Sequence, residues 1–220
     1  MSTVAILPVK SFDSAKQRLS SALGLGHRRA LAESMYSDVL LAAKRTSGID
    51  TIIVVTSDRA ALRIAGGYGA TVINDTGSSH SEAAALGIAH AMSDGADRVL
   101  LIPGDCPLLD PRQLEALLAR KVTEPSALIV PDRHGTGTNA LLLAPPNSLT
   151  PAFGEGSRQR HVDLAKAQGS TPELIEVASL GLDVDTPEDL ATLRQTLATT
   201  HGGAAHTRGM LKQMDRSDLR

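Results

Sequence analysis

Short runs of consecutive apolar residues alternate along this chain with longer stretches in which apolar positions recur every three or four residues. The runs are Val4–Leu7, Thr51–Val55, Ala70–Ile73, Val99–Ile102, Ala127–Val130, Ala140–Leu143 and Leu174–Val177. Runs this short, aliphatic and bounded by turn residues predict buried strands. The longer stretches predict helices. In Arg28–Arg45, Leu31, Met35, Val39 and Ala42 share one face, and Gly48 follows as a stop. Ala60–Gly66, Glu82–Met92, Pro111–Lys121 and Pro187–Thr196 read the same way, the last two with Pro at the first helical position. A shorter helical stretch lies around Val162–Lys166. Strand followed by helix, repeated, predicts an α/β fold with a mixed, mostly parallel sheet and flanking helices.

Two segments break the pattern. After Ala144 the chain runs through Pro145-Pro146-Asn147-Ser148 and Phe153-Gly154-Glu155-Gly156-Ser157, a loop long enough to suggest function or mobility. From about Thr199 the sequence turns polar, with Gly202-Gly203 and scattered charges. The expectation is one domain over residues 1–198 and a disordered tail over 199–220. The cluster Gly66-Gly67-Tyr68-Gly69 precedes a strand, whereas a dinucleotide fingerprint follows one and opens a helix. It reads as a helix end.

Composition narrows the function. The 220 residues are 42% hydrophobic and 21% charged, an ordinary globular balance. Aromatic residues make up only 2% and the net charge is −2, so neither the stacking platform nor the basic footprint of a nucleic-acid binder is present. Cys106 is the single cysteine, and the N-terminal apolar run lacks the parts of a secretory signal. No segment approaches the roughly 18 apolar residues of a membrane span. The expected location is the cytoplasm, with no membrane or nucleic-acid partner; a homo-oligomer is compatible with the sequence.

Candidate chemistry collects at strand ends. The strand Val99–Ile102 runs into Pro103-Gly104-Asp105-Cys106-Pro107, which projects Asp105 from the carboxyl edge of the sheet, where open α/β folds bind ligands; plain turn chemistry is the competing reading. In Leu182-Asp183-Val184-Asp185-Thr186-Pro187-Glu188-Asp189 an extended backbone puts Asp183 and Asp185 on one side. Two carboxylates on one face call for a cation or a proton. Thr186 fits the cap of the next helix, with Asp189 completing a variant capping box, and so frees both carboxylates. After the first strand, Lys10, Lys16 and Arg18 fall within nine residues: a phosphate-binding loop, or simply a solvated one. Gly135-Thr136-Gly137-Thr138 can wrap an anion or close a hairpin. Ser157 stands at a helix start, as an anion contact or as a cap.

Pro8-Val9-Lys10 with Ala15-Lys16-Gln17-Arg18-Leu19, Gly104-Asp105-Cys106-Pro107, Asp132-Arg133 with Gly135 to Leu141, Phe153-Gly154 with Ser157, and Asp183-Val184-Asp185-Thr186-Pro187 occur in one order. In that order, from Val4 to about Leu197, the chain resembles the 2-phospho-L-lactate and phosphoenolpyruvate guanylyltransferases of coenzyme F(420) biosynthesis, CofC and FbiD. The resemblance implies a Rossmann-like domain, the nucleotidyltransferase form of the glycosyltransferase-A fold. It implies transfer of GMP from GTP to a small phosphorylated carboxylic acid, with release of pyrophosphate. Asp105, Asp183 and Asp185 would gather Mg2+, Asp105 and Lys16 would be catalytic, and Lys10, Lys16 and Arg18 would line the triphosphate. Thr138, Gly154 and Ser157 would bind the acid. Where many members carry Leu-Asn beside the base pocket, this chain has Ser81-Glu82-Ala83-Ala84-Ala85, so guanine contacts are not carried over.

Two other readings remain at this stage. Molybdopterin or sugar-phosphate nucleotidyltransferases of the same fold usually open with a Gly-Gly loop leading to Arg, where this chain has Pro8-Val9-Lys10. A non-catalytic nucleotide-binding protein could keep the fold, but retention of all three aspartates argues against it.

Overall fold

A computed structural model describes residues 1–217. Its elements alternate as the apolar pattern requires: β1 (Thr3–Pro8), α1 (Leu25–Arg45), β2 (Thr51–Thr56), α2 (Arg59–Gly67), β3 (Thr71–Asn74), α3 (His80–Ser93), β4 (Arg98–Leu101) and α4 (Pro111–Leu118). The hairpin β5 (Ser126–Pro131) and β6 (Thr138–Ala144) comes next, then α5 (Ser157–Ala167), β7 (Thr171–Leu174), α6 (Pro187–Thr199) and α7 (Ala205–Ser217).

The strands form one sheet in the order β3-β2-β1-β4-β6-β5-β7. Only β6 is reversed: it pairs antiparallel with β4 and β5, while β1–β2, β1–β4, β2–β3 and β5–β7 are parallel. Strands covered on both faces are apolar throughout. Ala5 and Leu7 of β1 face one core layer, with α1, α2 and α4; Val4 and Ile6 face the other, with α3 and α5. Gly87 lets α3 press onto β1, because a Cβ there would lie 2.5 Å from Ile6 Cγ2.

Three expectations shift. The seventh strand is Thr171–Leu174 rather than Leu174–Val177. It is an edge strand, where Pro172 can stand without a donor, and its register is set by β5 rather than by its most apolar residues. Helix α5 begins at Ser157, ahead of the expected Val162, because Gly156 takes the left-handed conformation (φ 68°) that starts it. Its first turn is so polar that apolar spacing could not reveal it.

The third correction concerns the C-terminus. Within the expected disordered tail, residues 205–217 are helical, and residues 218–220 lie outside the described residues. Ala204, Leu211 and Met214 are buried with Leu31 and Met35 of α1 and Leu193 and Leu197 of α6, in a third apolar layer. The start of α7 is capped from afar. Asp38 of α1, itself buried, accepts hydrogen bonds from the backbone N–H groups of His206 (3.0 Å) and Thr207 (2.8 Å). Among the described residues no helix is long and apolar enough to cross a membrane.

Candidate functional site

The sheet order reverses between β1 and β4, which puts the ends of both strands at the switch point where open α/β sheets form a crevice. A cleft of about 840 Å³ opens there. All the sequence-predicted site residues line it: Lys10, Lys16 and Arg18; Asp105, Asp183 and Asp185; Thr138, Gly154 and Ser157.

The segment after β1 is pinned rather than solvated. Phe12 is buried against Tyr36, with ring centroids 5.6 Å apart, and its N–H donates to Asp58 Oδ2 at 2.9 Å. Asp58 also caps α2 through the N–H groups of Ala60 and Ala61. Burial opposes its charge, but these backbone donors outweigh it and hold the carboxyl pKa below the ordinary value. The anchored segment carries Lys16 in the left-handed region, at φ 57° and ψ 37°, which costs a non-glycine residue on the order of 1 kcal/mol. Strain of this kind persists where the surroundings fix it.

What fixes it is charge. Lys16 Nζ donates to Asp105 Oδ2 and, at 2.8 Å, to Asp185 Oδ1, while its side chain is only 7% exposed. Burial disfavours the ammonium, yet the two carboxylates more than compensate and raise its pKa above the ordinary lysine value. Lys16 is therefore a permanent cation at neutral pH.

The acidic residues meet through the backbone. The N–H of Val184 donates to the carbonyl of Asp105 at 3.3 Å. Val184 is buried while Asp183 and Asp185 turn into the cleft, the alternation expected of an extended segment. The capping box forms as predicted: Thr186 accepts from the N–H of Asp189, and Asp189 accepts from that of Thr186. Asp189 also receives the N–H of Asp185 at 3.0 Å and pairs with Arg133, which ties the segment to the β5–β6 loop. Asn139 donates to Asp183 Oδ1 at 3.2 Å and to the Leu180 carbonyl at 2.7 Å. Burial, and next the charge of Asp105, push the Asp183 carboxyl pKa up.

This donor set suits a hard cation. Among the described residues no three His, Cys, Asp or Glu side chains close into a metal-binding group, and Lys16 stands between Asp105 and Asp185. Magnesium, however, uses one or two carboxylates and completes its shell with water and substrate phosphates. An open acidic edge beside a phosphate-sized cleft fits that habit.

Lys10 extends the cationic side. Its Nζ meets Asp75 Oδ2 at 2.6 Å and the Gly77 carbonyl at 3.2 Å. Asp75 follows β3, two strands away from β1 in the sheet, and nothing in its local sequence marked it. Arg18 lies exposed along the same cleft.

The opposite wall comes from β6 and α5. Because β6 is reversed, its first residue, Thr138, lies at the edge where β1 and β4 end. The preceding loop is a hairpin and also lines the cleft: Thr136 N–H donates to Asp132 Oδ1 at 2.9 Å. Gly137 is required there, since a Cβ would come 2.7 Å from Asp132 Oδ2. The first turn of α5 docks on this loop through Arg158 N–H and the Thr136 carbonyl, 3.2 Å apart. Ser157 is the first residue of α5, buried at the cleft, with Gly156 as the cap.

The long loop before α5 is tied down. The N–H of Phe153 donates to Ser81 Oγ, and that of Ala152 to His161 Nε2, both at 2.9 Å. Arg160 donates to the carbonyls of Ala152 and Glu155. Sequence reasoning passed over His161, which is fully buried. Its trace was the stripe Ser157, His161, Ala165 at a spacing of four, the buried face of α5.

Residues 3–217 match the family described as guanylyl transferase CofC like. The chain is 51% identical over 220 residues to a phosphoenolpyruvate guanylyltransferase of Conexibacter woesei, covering 99% of each chain. It is 29% identical over 214 residues to a 2-phospho-L-lactate guanylyltransferase of Methanothermobacter thermautotrophicus, covering 97% of this chain and 92% of that one. The fold is shared more widely. The crystal structure of 4-diphosphocytidyl-2C-methyl-D-erythritol synthase superposes with a TM-score of 0.64 at 17% identity, over 89% of this chain and 98% of that one. The mixed seven-stranded sheet is thus that of the nucleotidyltransferases of glycosyltransferase-A type, and the chain belongs to the CofC-like guanylyl transferase family.

Proposed function

We propose that this enzyme transfers GMP from GTP to phosphoenolpyruvate, releasing pyrophosphate, as a step in coenzyme F(420) biosynthesis. The observation that carries the reading is one cleft with two unlike walls. Lys16 stands between Asp105 and Asp185 on one, and Thr138 faces it with the α5 N-terminus on the other. The choice of phosphoenolpyruvate rests on the 51% identical relative.

In this reading an oxygen of the acceptor's phosphate bonds to the α-phosphorus of GTP as the bond to the bridging α–β oxygen breaks. A phosphate monoester has its second pKa near ~6, so the nucleophile is already ionised at neutral pH and needs no general base. The obstacle is repulsion between two polyanions, and positioning with charge neutralisation removes it. Lys16, permanently protonated, contributes a fixed charge rather than a proton. Lys10 and Arg18 extend that charge along the triphosphate. Asp105, Asp183 and Asp185 would hold magnesium, which when bound would supply charge neutralisation for the phosphates. Thr138, Ser157 and the exposed N–H groups near Gly154 receive the acid, as helix N-termini receive anions.

The test is pyrophosphate release from GTP, ATP, CTP and UTP, each with phosphoenolpyruvate, 2-phospho-L-lactate and 3-phospho-D-glycerate. The highest kcat/KM is expected for GTP with phosphoenolpyruvate. Faster turnover with another acid would reassign the acceptor, and GTP binding without pyrophosphate release from any pair would refute transfer.

A further inference from the structure

The buried imidazole of His161 does not itself line the cleft, yet it joins both halves of the acceptor wall. Its Nε2 accepts the N–H of Ala152 at 2.9 Å, and its Nδ1 lies 2.9 Å from Thr138 Oγ1. A backbone N–H can only donate, so Nε2 carries no proton and the neutral ring must carry its proton on Nδ1. The Nδ1–H therefore donates to Thr138, whose hydroxyl is left to donate its own proton elsewhere. Thr138 lines the cleft and His161 does not. The ring is held in place by Phe153, edge-on with centroids 5.1 Å apart, and Phe153 in turn packs at 5.1 Å against His80.

We infer that His161 is a positioning residue for the acceptor: as the Nδ1–H tautomer it occupies a lone pair of the Thr138 hydroxyl and leaves that hydroxyl's proton free to donate toward an anionic oxygen of the phosphorylated acid. A hydroxyl whose proton is free to donate suits phosphate or carboxylate oxygens, which only accept. Burial, with the neighbouring Arg160 charge, lowers the ring's pKa to about 4, so it stays neutral at working pH. The inference rests on Thr138 binding the acid, as proposed above.

Two side chains separate the ring's two hydrogen bonds. An Asn amide nitrogen falls near the Nδ1 position, so His161→Asn keeps the donor to Thr138. A Gln amide oxygen reaches the Nε2 position, so His161→Gln keeps the acceptor for Ala152 and loses that donor. With GTP and phosphoenolpyruvate as substrates, His161→Gln should raise the KM for the acid by ~10-fold and leave that for GTP unchanged, the scale of one hydrogen bond to a charged group. His161→Asn should stay within about twofold. On a Thr138→Val background, His161→Gln should add nothing, while Thr138→Ser keeps the hydroxyl and its sensitivity to His161. Equal damage from Asn and Gln, a larger effect from Asn, or full additivity with Thr138→Val would each overturn the positioning role. If Thr138→Val alone leaves the acid's KM unchanged, the acceptor site itself is wrong, a different failure from that of His161.

Discussion

On the β1–β4 side of the cleft the polar groups are charged, crowded and drawn from distant parts of the sequence: Lys16 bridges Asp105 and Asp185, and burial, then the charge of Asp105, raises the carboxyl pKa of Asp183. On the β6–α5 side the groups set against the acid are uncharged, Thr138, Ser157 and the N–H groups of a helix start, with Asp132 and Glu155 also lining the cleft and a buried neutral imidazole behind Thr138. The charged wall stores strain and repulsion, in the left-handed Lys16 and the raised Asp183, that incoming metal and phosphates would relieve. The neutral wall stores none. Substitutions on the first should therefore act mainly on kcat, and on the second mainly on the KM of one substrate.

The sharpest way to break this contrast is Asp105→Asn. Turnover should fall by ~10³-fold or more, the scale of removing a principal electrostatic group from a phosphoryl-transfer site. The fold should survive, because Lys16 keeps its ion pair with Asp185 and the substitution removes one of the charges that push Asp183 up. Activity within tenfold of wild type, or loss of the thermal transition, would contradict the assignment.

Next in size is a pH effect on the neutral wall. The folded-state pKa of His161, about 4, lies below the ordinary 6.5. The stability this contributes is present above pH 6.5, and it is lost as pH falls toward 4, because the unfolded chain takes up a proton that the folded one refuses. The loss is up to ~3 kcal/mol. Denaturant titrations across that window should show a shallower slope in His161→Asn than in the wild type. Identical slopes would mean that the imidazole is not kept neutral.

Thr138→Ala and Ser157→Ala should each raise the KM for the acid by ~10-fold or more, a loss of about 1.5–3 kcal/mol of binding per charge-assisted hydrogen bond. The KM for GTP should move little. Parallel changes for both substrates would erase the distinction between the walls.

The two walls also differed in how far the sequence disclosed them. Asp105, Asp183 and Asp185 were legible because strand-end position, two-residue alternation and the Thr186 cap are local facts, and each held in the structure. The partner of Lys10 was not legible, since Asp75 arrives from the end of β3, two strands away in the sheet. Nor was His161, which follows a polar first turn that apolar spacing does not register. Thr138 reached the site only because β6 runs backwards, and strand direction is a property of the sheet rather than of the hairpin residues. The C-terminal helix failed for a related reason. Its contacts at Thr207, Met210, Leu211 and Met214 do follow helical spacing, but its cap is supplied by Asp38, far away in the sequence.

That cap provides the smallest and most discriminating perturbation. Asp38 is buried on α1, away from both walls, and satisfies two N–H groups at the start of α7. Asp38→Ala leaves both donors without their partner and should cost ~1–2 kcal/mol, the usual value of a lost N-cap. Because no residue of α7 lines the cleft, although its apolar layer also holds Leu19, Leu182 and Val184, kcat and both KM values should stay at wild-type levels while the thermal midpoint falls and proteases gain access near Gly202-Gly203. A variant that loses stability without a kinetic signature sets the baseline for the other substitutions. Any shift in the acid's KM on Asp38→Ala would mean that the neutral wall reports general loosening of the fold, and the KM effects at Thr138 and Ser157 would lose their meaning as local contacts.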